Sequence, residues 1–138
     1  MMRVAVAGDI PAMQRIRASV RENRLVSRTI SDEEVRAAIT QPGRGWVIET
    51  DGSIVAFGIA NHQSRRVWAL FVHPDHEARG HGRCILDAMV AWLFAQSDRP
   101  IWLSTDPGTR AQRFYEAAGW QATGTTKNGE LRYERSSP

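Results

Sequence analysis

The sequence predicts a mixed α/β fold, a mostly antiparallel sheet flanked by four helices in the order β-α-α-β-β-β-α-β-α-β-β. Three observations carry that reading. Short apolar stretches of β-rich composition alternate along the chain with longer stretches whose apolar residues recur at helical spacing. Glycine and proline mark the joints between the two patterns. The 138 residues, 42% of them hydrophobic, suit a single domain with one core over 1–138, and neither a linker nor an internal repeat interrupts them.

Each element has its own signal. Met2 to Val6 reads as a first strand. Asp9 is placed to cap a helix that tolerates Pro11 in its first turn. Ile10, Met13, Ile16 and Val20 form its apolar face, with Arg15, Arg21, Glu22 and Arg24 opposite. Ser31 and Glu34 make a capping box for a short second helix running to about Ile39, which Pro42, Gly43 and Gly45 end. Trp46 to Ile48 is a strand, Asp51-Gly52 a hairpin turn, and Ile54 to Ala60 the returning strand. Arg65 to Val72 continues the meander until His73-Pro74 closes it. Ile85, Leu86, Met89, Val90, Leu93 and Phe94 stripe the longest helix, which Pro100 stops before a buried strand at Ile101 to Leu103. Gly108 to Ala118 is the fourth helix, ended by Gly119. Trp120 to Thr125 and Leu131 to Arg135 pair across Lys127-Asn128-Gly129.

Composition narrows the function. No stretch approaches the ~18 apolar residues of a membrane span, and Met1 to Ala7 lacks the apolar core of a signal peptide. Cys84, the single cysteine, can form neither an internal disulfide nor a cysteine-rich zinc module. A cytoplasmic protein is the expectation, with no membrane partner. Net charge is +3, and Lys127 is the only lysine among 18 basic residues. The arginines are scattered without a like-charge run or a stripe of stacking aromatics, so nucleic acid is not the expected partner.

The informative segment is Leu70 to Leu86, LFVHPDHEARGHGRCIL. A strand ends there, and Arg79-Gly80-His81-Gly82-Arg83 opens the longest helix. Two glycines at a helix start let backbone approach a ligand, and the free amides with the positive dipole end attract an anion. Arg79 and Arg83 flank that position. His73, Asp75, His76, Glu77, His81 and Cys84 are potential metal ligands nearby, but no recognised spacing such as H-E-x-x-H links them, so no metal is expected.

Val72-His73-Pro74 followed by Glu77-Ala78-Arg79-Gly80-His81-Gly82 resembles the acyl-CoA-binding motif of the GNAT acetyltransferases, V-x-P then Q/R-x-x-G-x-G/A. Glu77 departs from that pattern. Arg113-Phe114-Tyr115-Glu116-Ala117-Ala118-Gly119-Trp120 resembles the family's second landmark, F-Y-x-x-x-G-F/W, and the resemblance covers essentially the whole chain. It implies an N-acetyltransferase that uses acetyl-CoA as cosubstrate, without a metal, on a primary amine that attacks the thioester directly in a ternary complex. It implies that Arg79, Gly80, His81, Gly82 and Arg83 hold the pyrophosphate. Leu70, Phe71 and Val72 would line the pantetheine and thioester, and Tyr115 would be the general acid. Relatives carry a carboxylate on the strand before V-x-P, but Val67 to Leu70 are apolar here. Glu49, His62, His73, Glu130 and Glu134 remain as candidate bases, and a non-catalytic acyl-CoA sensor is the alternative. Arg24, Arg28 and Arg44 are candidate contacts for an anionic small-molecule or peptide acceptor, and a homodimer is a possible assembly.

Overall fold

Continuous apolar runs of strand length, which bury both faces of a strand, organise the chain around one sheet. The computed structural model describes residues 1–20 and 30–138. Strand β1 (Met2–Val4) precedes helices α1 (Ile10–Ser19) and α2 (Asp32–Ala38). An antiparallel meander follows: β2 (Gly43–Thr50), β3 (Ser53–Asn61) and β4 (Arg66–Val72). Then come α3 (His81–Gln96), β5 (Ile101–Thr105), α4 (Arg110–Ala117) and the hairpin β6 (Gln121–Thr125) and β7 (Leu131–Arg135). The sheet order is β1-β2-β3-β4-β5-β7-β6, antiparallel except between β4 and β5.

Two cores sandwich the sheet. Ile85, Leu86, Met89 and Leu93 of α3 pack on one face against Ala56, Val67, Leu103 and Tyr133. Ile10, Met13 and Ile16 of α1 pack on the other against Phe57, Ile59 and Ala69. Gly58 allows α3 to sit close, because a Cβ there would lie 2.5 Å from Ile85 Cγ2. The C-terminal end of α3 is tied to β4 by Arg65, which is 4% exposed. Its guanidinium donates to the carbonyls of Leu93 at 2.8 Å and of Ser97 and Arg99 at 2.7 Å each.

Local signals and tertiary demands disagree at a few joints. Asp51 (φ +52°) and Gly52 (φ +80°) make the expected tight turn, and Ser31 accepts from the Glu34 amide in the expected capping box. Asp9 does not cap α1. It closes a 3-10 turn by accepting from the Val6 amide at 2.8 Å, and its two oxygens take the Arg3 fork. That pairing holds its carboxyl below the usual range. The first strand ends at Val4, and Val20 falls just outside α1 in extended backbone. Gly43 and Gly45 do not stop a helix: both lie inside β2, where the Ala38 carbonyl would stand 1.9 Å from a Cβ on Gly43. The fourth helix begins at Arg110 rather than Gly108, with Thr109 as its cap. Arg21, Glu22, Arg24 and Arg28 lie outside the described residues.

Candidate active site

The one parallel junction of the sheet is where it opens. Strands β4 and β5 share a single register pair, Arg66 with Trp102, and the Trp102 amide donates to the Arg65 carbonyl at 2.9 Å. Past that pair the strands separate, so the edge of β4 from Val67 to Val72 has β3 on one side only. A cleft of about 830 Å³ occupies the gap. Leu70, Phe71 and Val72 form its wall.

One mouth is the start of α3, with Gly80, His81, Gly82 and Arg83 on its rim. Gly80 caps the helix at φ +83°, a conformation glycine adopts without strain, and a Cβ there would meet nothing within 4 Å. No side chain caps this end and its first turn holds no acid, so its amides face the cleft with the dipole unneutralised. Burial, with His76 and Arg79 nearby, pushes the His81 imidazole down and keeps it neutral at neutral pH. The other mouth opens beside α1, between Arg17, Trp68, Arg66 and Glu130.

The family model for the acetyltransferase (GNAT) family matches residues 13–120. The chain belongs to that family. Its fold is similar to the PaiA N-acetyltransferase of Thermoplasma acidophilum, solved in complex with coenzyme A. The TM-score is 0.84 at 12% identity over 99% of this chain and 98% of that one. A GNAT phosphinothricin acetyltransferase of Sinorhizobium meliloti, solved with AcCoA, aligns with TM-score 0.80 at 15% identity, over 99% and 88%. The ribosomal-protein-alanine N-acetyltransferase of Brucella melitensis aligns with TM-score 0.80 at 16% identity, over 99% of each chain. At these identities the likeness is one of fold. No curated protein matches the sequence.

As a GNAT protein the chain is an acyl-CoA-dependent transferase, and its departures from the motif have structural reasons. Glu77, where Gln or Arg is usual, pairs with Arg110 of α4, so its carboxylate is neutralised at the cleft rim. Arg79 is not among the cleft-lining residues and approaches His76 Nδ1 at 3.3 Å, while Arg83 pairs with Asp87 at 3.0 Å. Tyr115 is 7% exposed, stacked edge-on against Phe114 and Trp120. Phe114 lines the cleft and Tyr115 stands behind it. Burial drives the Tyr115 phenol well above its ordinary value.

Of the five candidate bases only Glu130 reaches the cleft. Glu49 is bound by Arg3, and Glu134 by Arg132 at 3.3 Å. His62 stacks on Trp92, and His73 Nδ1 accepts from the Asp75 amide. Arg44 also lies elsewhere, its guanidinium 5.3 Å over the Trp92 ring. Sequence reasoning missed Asp106, a cleft residue just past β5 that is 6% exposed, with Oδ1 unbonded among the described residues. Its signal was available: an acid directly before Pro107-Gly108, where a buried strand ends, reads as a turn former. Only the open junction turns it into a cleft wall. No three His, Cys, Asp or Glu side chains converge as a metal set among the described residues. Nor is any described helix long and apolar enough to cross a membrane.

Proposed function

We propose that the chain is an N-acetyltransferase that moves the acetyl group of acetyl-CoA to a primary amine by direct attack. The observation that carries this reading is the cleft through the β4–β5 junction, with uncapped helix amides at one mouth and a separate opening at the other. Acetyl-CoA, when bound, supplies an acyl group activated as a thioester. The amides from Arg79 to Arg83 would hold its pyrophosphate. The free edge of β4 at Leu70, Phe71 and Val72 would bind the pantetheine arm as an added strand, and its amides would polarise the thioester carbonyl. As the new C–N bond forms and the C–S bond breaks, Tyr115 gives its phenolic proton to the departing sulfur. The raised pKa keeps the phenol protonated but makes it a weaker acid, so the transfer rests on the basicity that the sulfur gains as the C–S bond breaks. Glu130, the candidate base that lines the cleft, would take the proton lost by the amine.

Calorimetric titration with acetyl-CoA, with ATP and NADH as controls, tests the cofactor assignment. Selective micromolar binding supports it, and equal binding of all three reduces the helix start to a generic anion nest. Tyr115→Phe tests the acid: kcat falls by at least about tenfold while acetyl-CoA affinity holds. Equal turnover in the two proteins removes Tyr115 from the reaction.

A further inference from the structure

Two adjacent arginines at the start of β4 have opposite environments. Arg65 satisfies three carbonyls inside the protein, as described above. Arg66 lines the α1-side mouth of the cleft. Its guanidinium lies 4.5 Å over the Trp102 ring, which also carries the Arg132 guanidinium at 4.2 Å. Arg132 has Glu134 as its acid. Arg66 Nε is buried without a hydrogen-bond partner among the described residues. Arg65 Nε is left the same way, so the unpartnered Nε does not set Arg66 apart; what does is that Arg66 lines the cleft mouth, where an acceptor group would meet its guanidinium.

The surroundings narrow what that group is. Arg17 lines the same mouth, its guanidinium 4.8 Å over Phe71 and 5.5 Å over Trp68, so two cations sit beside two aromatic walls. Glu130 faces Arg66 from the β6–β7 hairpin and is bonded by Ser104 at 3.4 Å. Asp106 follows Thr105, whose register partner is Leu131, so both acids lie at the same end of β5. Cations and acids thus share one opening, with Glu130 facing Arg66 across it. A planar, singly charged carboxylate matches the guanidinium fork. A dianionic phosphate would meet stronger repulsion from Glu130 and Asp106.

We infer that the acceptor is an amine that also bears a carboxylate, an amino-acid-type molecule held by its carboxylate on Arg66 with its amine toward Glu130 and Asp106. This rests on the N-acetyltransferase reading and names its substrate class.

The test follows thiol release from acetyl-CoA with matched amines: phenylalanine against phenethylamine, lysine against cadaverine, and phosphoethanolamine as the phosphate arm. The expected result is a kcat/KM at least tenfold higher for an acid member than for its decarboxylated partner. Arg66→Gln should raise KM for the acids at least tenfold more than it raises KM for the plain amines. Arg66→Lys should restore part of the preference. Equal or faster release with plain amines overturns the inference and leaves the transferase reading standing, as does a preference for phosphoethanolamine. A loss in Arg66→Gln that is the same for both members of a pair also overturns it, since that marks a structural role. The wild-type comparison stands even if the variants fold poorly. Silence with every amine overturns both readings.

Discussion

The two ends of α3 are finished in opposite ways, and the difference separates what holds the fold from what serves the site. At the C-terminal end the buried Arg65 guanidinium donates to the Leu93 carbonyl of the last turn and to the Ser97 and Arg99 carbonyls just beyond it. The backbone of Arg65 sits at φ +60° to make that reach possible. At the N-terminal end the amides receive no side-chain cap, and the residues beside them are histidine and arginine rather than the acids a helix start favours. A helix that served stability alone would be capped at both ends. A glycine cap in place of serine or aspartate gives up only a few tenths of a kcal/mol and leaves the amides open to the cleft.

The largest effect expected from this contrast is at the closed end. Arg65→Ala removes three charge-assisted bonds and costs about 3 kcal/mol of stability, lowering Tm by roughly 10 °C. Urea unfolding checks it, and an unchanged midpoint would mean that water replaces the guanidinium without loss. At the open end the two glycines should behave differently. Gly80→Ala forces a methyl into positive φ and costs about 1 kcal/mol, and it should also weaken acetyl-CoA binding because the capping residue aims the first amides. Gly82→Ala places its Cβ 3.5 Å from Val72 Cγ2 and 3.6 Å from Phe114 Cζ, ordinary contacts, and should shift stability by no more than about 0.5 kcal/mol. Equal stabilities for the two variants would show that strain at Gly80 is absent.

The smallest effect is a pH dependence confined to the open end. The folded-state pKa of His81 is lowered, so the unfolded chain binds its proton first as pH falls below about 6.5. That contribution to stability is whole above this pH and shrinks on acidification towards the lowered folded value. His81→Gln should therefore lose less stability than the parent between pH 7 and 5, measured by thermal unfolding at both.

Much of this architecture was legible in the residues. Ser31 with Glu34, Asp51-Gly52 and the spacing from Ile85 to Leu93 each act through neighbours within a few residues, so their geometry is local. Gly43 and Gly45 misled because glycine marks both helix ends and close backbone approach. Which one applies depends on Ala38 and Ile39 folding back onto β2, where both would crowd an added Cβ. Asp9 looked like a cap for the helix that follows it, but Arg3 competes for its carboxylate from the neighbouring strand.

The cleft divides along the same line. By itself the sequence determined the element order, the glycine-bearing start of α3 and the family resemblance, because these rest on spacing along the chain. Only the tertiary structure decided that β4 and β5 part after one register pair, since strand separation is set by what packs on each side of the sheet. It also decided that Glu130 and Asp106 line the gap while Glu49, His62, His73, Glu134 and Arg44 do not. And it sent Arg65 and Arg66, adjacent in sequence, in different directions, one into the protein's own carbonyls and the other into the cleft, because Arg65 ends the β3–β4 turn at φ +60° while Arg66 is the first extended residue of β4.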